Sequence, residues 1–536
     1  MKRFFILLLA LALVPCFGGL TAVKAEGLKI TVKGQWDFSF GRIVNEGFND
    51  SANRSLPGAL RPQYGRPFSD ESFLARQRVR TQIDFISSEY LKAVLLFEIG
   101  EMDWGVNQVD ARDRRGGSGA FDFQNVDLGI RRAYLDWVIP NTEVSVRMGL
   151  QDLKLPSTPM GSPVFDTDVA GIVVSAPITG WLSATALWMR PFACRFDANG
   201  NPGSGNSQDT DIFGIILPMS FADSKVNLTP WFMYGSVIPA SGFYDYVYNS
   251  QPYQAPTPLP RNPRTSVLWA GAHLEWTPLA PLTFNLEAIY GYLHPVTLDG
   301  FGPTVIPLWG SHWAETQHQS SRIGTSGWYI GATLDYQLGF MTPGIFAWWA
   351  SGDKKNAWYD GKHGRLPVLG NDGGSFGPTS FGSAGYYGIS QRKKGGAIMG
   401  TGTGTWGVGI QLADISFIEN LKHTLRLAYY RGTNSSALVK DGGGFFGEPT
   451  HTNAYYFQYT ADGLYLTDKD SVLEVNFDHQ YKIYENLTAT LELGWLQLKT
   501  DKGTWIRYWP YPAARSSKFN ETENSWKAQL SLRYSF

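Results

Sequence analysis

The chain has 536 residues and a formal net charge of −1 at pH 7, with 46 Lys and Arg residues against 47 Asp and Glu residues. This near balance excludes the strongly basic surface of a typical nucleic-acid-binding protein, so no nucleic acid is expected as a partner. The two cysteines, Cys16 and Cys194, provide no framework of disulfides, so the fold must be held in another way.

Residues 1–25 have the pattern of a secretory signal peptide. Lys2 and Arg3 precede an apolar run, and Val23 and Ala25 fit the small-residue pattern before a cleavage site. A membrane anchor is the alternative, but Pro15 and the small residues after it interrupt the apolar run. We therefore expect cleavage after Ala25 and a single exported domain over residues 26–536, with no linker that would divide it.

Apolar and polar residues alternate with a period of two along most of the remaining chain, and helical patterns are nearly absent. Such alternation predicts strands with one apolar face and one polar face. Each segment is about as long as the ~9–11 residues that a tilted strand needs to cross a bilayer. Clear examples are residues 29–40, 75–85, 143–150, 281–292, 327–338, 471–483, 486–495 and 526–536.

The connections between these segments alternate between short and long. Short ones include residues 87–90, 140–142 and 418–420, whereas long ones include 41–70 and 353–404 and are rich in Gly, Pro, Asn, Asp and Ser. This ordering predicts an all-β, up-and-down antiparallel transmembrane barrel of about 18 strands, with 16 as the alternative count. The short turns would be periplasmic and the long loops extracellular. A soluble β-sandwich is the alternative fold, but its connections would not sort by length.

Three arginines, Arg76, Arg78 and Arg80, share one face of the segment 74–84. On the lipid side each would cost several kcal/mol, up to ~2–4 at the midplane, so we place them on the pore wall. The same alternation adds Arg132 and Arg147 to this basic wall, whereas Arg131 breaks the pattern. A barrel of ~16–18 strands leaves an aqueous channel, so residues that line the lumen should control passage.

The third long connection, about residues 151–167, is expected to carry the acids Asp152, Asp166 and Asp168 at and around it. A loop with these acids, folded opposite the arginines, would narrow the pore and tune ion selectivity. A loop that lies outside the barrel is the alternative.

The segment 526–536 is expected to be the last strand, with one face toward lipid. Aromatic residues on that face suit the girdle at a membrane interface. Its terminal pattern also resembles the signal that the barrel-assembly machinery of bacterial outer membranes recognises. That signal would comprise Trp526, Leu530, Leu532, Tyr534 and Phe536.

The leader, the strand order and three motifs resemble the outer membrane homotrimeric porin family of sulfate-reducing bacteria. The motifs are RRAYLDW (131–137), RMGLQDLKLPS (147–157) and RYSF (533–536). More distantly, the plan is similar to that of general Gram-negative porins, although their Glu-Phe-Gly loop signature is absent. The resemblance implies a homotrimer in the bacterial outer membrane. It also implies that the loop at about 151–167 folds into each pore, facing the basic wall.

We therefore expect a porin that lets small hydrophilic solutes and ions diffuse passively, in contact with outer-membrane lipid and the assembly machinery. A channel specific for sugars or organic acids is the alternative, and a structural or adhesive surface barrel is the second. No Ser and His pattern of a hydrolase occurs, so no enzyme is expected. No cofactor or metal is expected either: His312 and His318 lack a clear third ligand, and the acidic loops lack the EF-hand spacing for Ca²⁺.

Overall fold

The computed structural model describes most of the chain between residues 27 and 536. The described ranges are 27–44, 71–105, 117–118, 128–192, 209–237, 265–297, 305–307, 313–315, 322–357, 361–369, 376–379, 402–437, 466–501, 504 and 524–536. The expected signal peptide, Cys194, His312 and His318 lie outside these ranges. No helix in the described part of the chain is long and apolar enough to span a membrane.

The described residues form 18 long strands. The first nine are β1 (Lys29–Val44), β2 (Glu71–Ser88), β3 (Leu91–Trp104), β4 (Leu128–Val138), β5 (Ser145–Lys154), β6 (Asp166–Thr179), β7 (Leu182–Phe192), β8 (Thr210–Ile216, continued by Met219–Phe221) and β9 (Val226–Val237). The second nine are β10 (Thr265–Trp276), β11 (Leu282–Thr297), β12 (Arg322–Tyr336), β13 (Thr342–Ala350), β14 (Thr405–Ile418), β15 (Leu421–Gly432), β16 (Ser471–Tyr484), β17 (Leu487–Lys499) and β18 (Ser525–Ser535).

Each long strand pairs antiparallel with its neighbours in sequence, and β18 pairs with β1 to close the sheet. The predicted all-β, antiparallel barrel of 18 strands is therefore confirmed, and the alternative count of 16 is wrong. Closure gives every long strand a paired neighbour on both sides, which is the condition for a sheet to survive in hydrocarbon. Short strands at Gly117–Ser118, Val305–Pro307, Trp313–Glu315 and Lys362–His363 lie in the long connections.

The alternation of the sequence becomes the two faces of the barrel. On β1, Ile30 and Val32 are more than half exposed on the outer face, whereas Asp37 and Ser39 are buried on the inner face. At the end of the chain, Trp526 is exposed and Lys527, directly after it, is buried inside. Directly paired residues of neighbouring strands share a face, so the same inner and outer faces continue from β1 to its neighbours β2 and β18.

The short and long connections lie at opposite ends of the barrel. Two-residue turns such as 89–90 and 419–420 follow β2 and β14, while the connections at the other end reach the length of residues 351–404. Exposed aromatic rings lie beside the short turns: Trp181 stacks on Phe221 and Phe340 stacks on Phe417, each with ring centroids 5.6 Å apart. Rings in this position form the girdle expected where an apolar belt meets water.

Candidate functional site

The three arginines of β2, Arg76, Arg78 and Arg80, lie on the inner face, as predicted. Acids from neighbouring strands compensate part of their positive charge. Arg78 lies opposite Asp37 of β1 and donates to its carboxylate from Nη2 at 2.9 Å. Arg533 of β18 donates to the other oxygen of Asp37 at 2.6 Å. Arg80 Nε donates to Glu98 of β3 at 2.5 Å. Acids therefore relieve the repulsion that three stacked guanidinium groups would otherwise create.

Arg131 joins this inner face through a β-bulge. The β3–β4 register shifts so that Leu96 faces Arg132 while Phe97 faces Ile130, and Arg131 is the extra residue. A bulge re-aims a side chain, and here it turns Arg131 and Arg132 to the same side. Arg131 donates to Glu98 from Nη1 at 3.1 Å and to Asp168 from Nε at 2.7 Å. Arg131 is thus a lumen residue that the alternation did not predict. The break in the alternation at Arg131 was the sequence signal of this bulge.

The three predicted loop acids lie on strands. Asp152 belongs to β5, and Asp166 and Asp168 open β6, so the connecting segment is only residues 155–165. We expected a loop to carry these acids, and this expectation is wrong. The pairing between β5 and β6 extends to Lys154 opposite Asp166, so all three acids belong to paired strands. Asp166 does not face the arginines, because it forms an ion pair with Lys154 at 3.4 Å. Only Asp152 and Asp168 do.

Arg132 connects the two other acids to the wall. Its Nη1 lies 3.2 Å from Asp152 Oδ1, and its Nε donates to Asp168 Oδ1 at 2.9 Å. Arg147 lies 4.0 Å from Asp152, makes a two-point ion pair with Asp136, and stacks over Tyr134 at 4.4 Å. Arg80, Arg132 and Arg147 of the predicted wall are therefore joined through Arg131 and two of the three predicted acids in one network of alternating charges, whereas Arg78 pairs separately with Asp37.

The hairpin that carries these acids leaves the barrel wall at Gly149. β5 pairs with β4 only as far as Leu150 opposite Ala133, whereas its pairing with β6 continues for four more residues. Gly149 has a φ of 128°, in the region that favours glycine, and lies opposite Gly171. We call residues 149–171 the inner hairpin.

One face of the inner hairpin packs against the inner face of the far wall. Leu153, Phe165 and Val169 belong to one buried apolar cluster with Trp269 of β10 and Tyr329 of β12. At the tip, the amide of Thr158 donates to Glu287 of β11 at 3.2 Å, and Gly377 donates to the carbonyl of Met160 at 2.8 Å. The hairpin therefore spans the interior between the apolar far wall and the arginines of β4.

The wall formed by β15 to β18 carries buried glutamates that the sequence analysis did not anticipate. Glu474 and Glu492 are fully buried on its inner face. Tyr430 donates to Glu474 at 3.2 Å, and Lys527 lies 3.6 Å from Glu492. The alternation places these acids inside, and the register between β16 and β17 puts Glu492 opposite Asp478.

The long connections are tied together at their end of the barrel. Asp353 is fully buried, accepts from the amide of Gly364 at 2.8 Å, and lies 3.2 Å from His363 Nδ1. Burial by itself raises the pKa of Asp353, but His363 and Arg365 outweigh it, so the pKa lies below its usual value. Ser435 donates to the carbonyl of Asp353 at 2.8 Å, which joins a second connection to the first.

The residues of the expected assembly signal lie on β18 and at its end. Trp526, Leu530, Tyr534 and Phe536 are exposed on the outer face, each by more than a third. Their role in assembly stays a prediction. In the described part of the chain, no three His, Cys, Asp or Glu side chains gather in a way that could hold a metal ion.

No protein-family model matches the sequence, and no curated protein matches it either. The resemblance to the porin family of sulfate-reducing bacteria therefore stays a prediction.

Several solved structures are similar to this chain at low identity. The chain is similar to Pseudomonas aeruginosa OccK8 (OprE), with 10% identity, a TM-score of 0.45 and coverage of 95% of this chain and 98% of that one. It is similar to Pseudomonas aeruginosa OccK2 (OpdF) in complex with glucuronate, with 9% identity, a TM-score of 0.45 and coverage of 95% and 98%. It is also similar to Acinetobacter baumannii OccAB1, with 11% identity, a TM-score of 0.45 and coverage of 94% and 97%.

Proposed function

We propose that this chain is an outer-membrane channel through which small hydrophilic solutes and ions diffuse passively. The observation that carries the proposal is a closed barrel of 18 strands whose outer face is apolar and whose inner face carries charged side chains beside an apolar cluster. Barrels of this width are too wide for wall side chains to fill, so they leave an aqueous channel. The aromatic rings beside the short turns support a position in a bilayer, with the long connections outside the cell.

The inner hairpin supports a selective constriction. Its acids Asp152 and Asp168 are paired with Arg131 and Arg132, so fixed charges of both signs would line one side of the passage. Rings of fixed charge at a narrow point filter ions by sign and orient charged solutes. The residues proposed for the basic side are Arg76, Arg78, Arg80, Arg131, Arg132 and Arg147.

A channel specific for sugars or organic acids is the second candidate. One observation favours it over a general diffusion pore. The inner hairpin and the buried apolar cluster, which extends along the wall as far as β17, occupy part of the lumen, so the passage would be narrower than the barrel itself. A narrow, charge-lined route discriminates between solutes more strongly than a wide one. Saturable block of the ion current by a single sugar or organic acid would identify this class.

Assembly as a homotrimer rests on the family resemblance alone, and so does recognition of the last strand by the assembly machinery. An exposed apolar outer face is compatible with contact to lipid and with contact to a second copy. The trimer is therefore a second part of the proposal, and it can be tested independently of the channel.

The test is reconstitution of the folded chain, without residues 1–25, in a planar bilayer under a KCl gradient. Stable current steps would support the channel, and steps that arrive in threes would support the trimer. The reversal potential reports which sign of charge controls the constriction. A silent bilayer with correctly folded barrels would overturn the channel and favour a structural or adhesive surface protein.

Replacement of Arg76, Arg78 and Arg80 together by neutral residues tests the basic wall. Asp37 would keep only Arg533 and Glu98 only Arg131, so negative charge would dominate. We expect the reversal potential to move toward cation selectivity. An unchanged reversal potential in a folded variant would count against the wall.

A further inference from the structure

The tip of the inner hairpin docks on a buried carboxyl group that the proposed channel mechanism does not use. Glu287 lies on the inner face of β11 and is fully buried. In the register it lies between His273 of β10 and Gly331 of β12. Its Oε2 accepts the amide hydrogen of Thr158, at the hairpin tip, at 3.2 Å. Glu287 is thus the polar contact between the tip and β11.

Three buried oxygen atoms at this contact lack hydrogen-bond partners in the part of the chain that the structure describes. They are Glu287 Oε1, the hydroxyl of Tyr329 and the hydroxyl of Thr158. The Tyr329 hydroxyl lies over Gly331, where a Cβ atom would collide with it, and Gly331 is the direct partner of Glu287. Because no two of these three atoms are hydrogen-bonded to each other, neither hydroxyl group stabilises a negative charge on Glu287 Oε1.

The charged and titratable groups around Glu287 do not form an ion pair with it. On β10 they are His273 and Glu275, on β12 they are Tyr329 and Asp335, and on the inner hairpin they are Lys154 and Asp166. Lys154, the basic side chain of that hairpin, instead lies 3.4 Å from Asp166, and His273 lies 3.3 Å from Asn285. An ionised Glu287 would therefore be a buried charge without a cation in contact, which is strongly unfavourable.

We propose that Glu287 fastens the inner hairpin to the wall as an uncharged carboxylic acid, and that its ionisation releases the hairpin. In the uncharged form Oε2 still accepts from the Thr158 amide, and the buried carboxyl group carries no charge that would need a cation. Glu287 is thus a positioning residue for the constriction, and its effect on conduction rests on the proposed function.

The released state should dominate at alkaline pH. Proton loss would leave a carboxylate inside an apolar cluster, and the carboxylate can regain water only if the hairpin moves away. Movement of the hairpin carries Asp152 and Asp168 away from the arginines of β4. The channel is therefore expected to become wider and less selective as the pH rises.

Thiol labelling tests the docking without reference to conduction. Met160→Cys, in a Cys194→Ser background, places a thiol at the buried tip, and a bulky membrane-impermeant maleimide reports its exposure in reconstituted vesicles. We compare this reporter with Glu287, with Glu287→Gln and with Glu287→Ala at the same pH, so that the intrinsic pH dependence of thiol reactivity cancels. Glu287→Gln retains the carbonyl acceptor and adds a donor without charge, whereas Glu287→Ala removes both.

At neutral pH we expect slow labelling with Glu287 and with Glu287→Gln, and labelling faster by on the order of tenfold with Glu287→Ala. Tenfold corresponds to about 1.4 kcal/mol of docking free energy. At alkaline pH only the Glu287 chain should change to the fast rate. Fast labelling of Glu287→Gln at neutral pH would show that the negative charge is needed, and would overturn the proposal. Slow labelling of all three at every pH would overturn it too.

Bilayer recordings on the same variants connect docking to conduction. We expect conductance that rises at alkaline pH in the chain with Glu287 but not in Glu287→Gln. Glu275→Gln is the matched control, because it neutralises an inner-face glutamate on the neighbouring strand and should keep the alkaline rise. If every variant is silent while the labelling pattern holds, the channel is overturned and the docking stands. If all variants conduct with the same pH profile, the link between docking and conduction is overturned.

Discussion

Arg131 joins the barrel wall to the inner hairpin through two ion pairs. Its guanidinium group bonds Glu98 on the wall and Asp168 on the inner hairpin. Because it holds one acid from each side, its charge compensates two carboxylates at the proposed constriction. A single substitution there changes the local balance more than the loss of one surface charge would.

We predict that Arg131→Ala moves the selectivity toward cations. Glu98 would keep Arg80, and Asp168 would keep Arg132, but one positive charge is lost between them. The reversal potential under a KCl gradient measures the change. Arg431→Ala is the control, because Arg431 lies on the outer face and its guanidinium donates to the carbonyl of Asp468. Equal shifts in the two variants would contradict the position of Arg131 at the constriction.

The contrast between Arg78 and Arg131 shows what the sequence can predict at this scale. Arg78 follows the alternation of its strand, so its face could be derived from its own neighbours. Arg131 lies inside because the register between β3 and β4 shifts, and that register depends on residues far away in the sequence. The ion pairs of both arginines depend on partners from other strands, so the alternation predicted a repulsive ladder where the structure has a compensated one.

The inner hairpin depends on a bend that only glycine allows. At Gly149 the positive φ and the close approach of β4 coincide, because a Cβ atom would overlap the carbonyl oxygen of Ala133. Strand β5 can therefore continue along β6 while it leaves β4. The sequence motif around residues 147–157 predicted an infolded loop by resemblance, but not the position of the bend.

We predict that Gly149→Ala displaces the inner hairpin or prevents folding of the barrel. The side chain would meet backbone on β4, and a residue other than glycine at this φ adds strain of order 1–3 kcal/mol. The folded fraction, measured as the heat-sensitive compact band in detergent gels, and the single-channel conductance together check this. Gly180→Ala, in a turn with open space around the Cβ position, should match the wild type. A normal conductance in Gly149→Ala would show that the hairpin does not need this bend.

We predict that Asp353→Asn loosens the long connections at neutral pH but not in strong acid. The folded-state pKa of Asp353 is depressed, so its stabilisation is present above the unfolded value of about 3.8 and is lost as the pH falls through the folded value. Breaking a buried pair costs roughly 3 kcal/mol. Proteolysis of the connections as a function of pH measures the effect. A difference between the variant and the wild type that persists in strong acid would contradict the assignment.

At the scale of the whole molecule, the barrel plan was predictable and the interior was not. Strand number followed from the sorting of short and long connections, because each connection can be read locally. The apolar cluster that joins the inner hairpin to β10 and β12 brings together residues more than a hundred positions apart. Nothing in the period-two pattern distinguishes an inner residue that faces water, such as Arg132, from one covered by the hairpin, such as Trp269.

We predict that Gly34→Ala weakens the closure of the barrel. The backbone of Gly34 exchanges two hydrogen bonds with Phe536, at 2.8 and 3.0 Å, and a Cβ atom there would collide with the Phe536 ring. The thermal midpoint of the heat-sensitive gel band measures the change, which we expect to be a decrease. Gly129→Ala is the control, because its Cβ would meet only Glu98 carbonyl oxygen at an ordinary 3.8 Å. Equal midpoints for the two variants would contradict a role for this contact.

The pairing of β1 with β18 also determines when the barrel can close during folding. The hydrogen bond from Arg533 to Asp37 joins residues separated by 496 positions, so the first strand must wait for the last before it has a second neighbour. Closing so long a loop is slow, since contacts between distant residues form only after most of the chain entropy has been lost. Throughout that wait β1 presents an unpaired edge, which can bind another chain. A chain of this design therefore depends on protection of β1 until the barrel closes, and a chain that lacked the last strand would keep that edge of β1 unpaired.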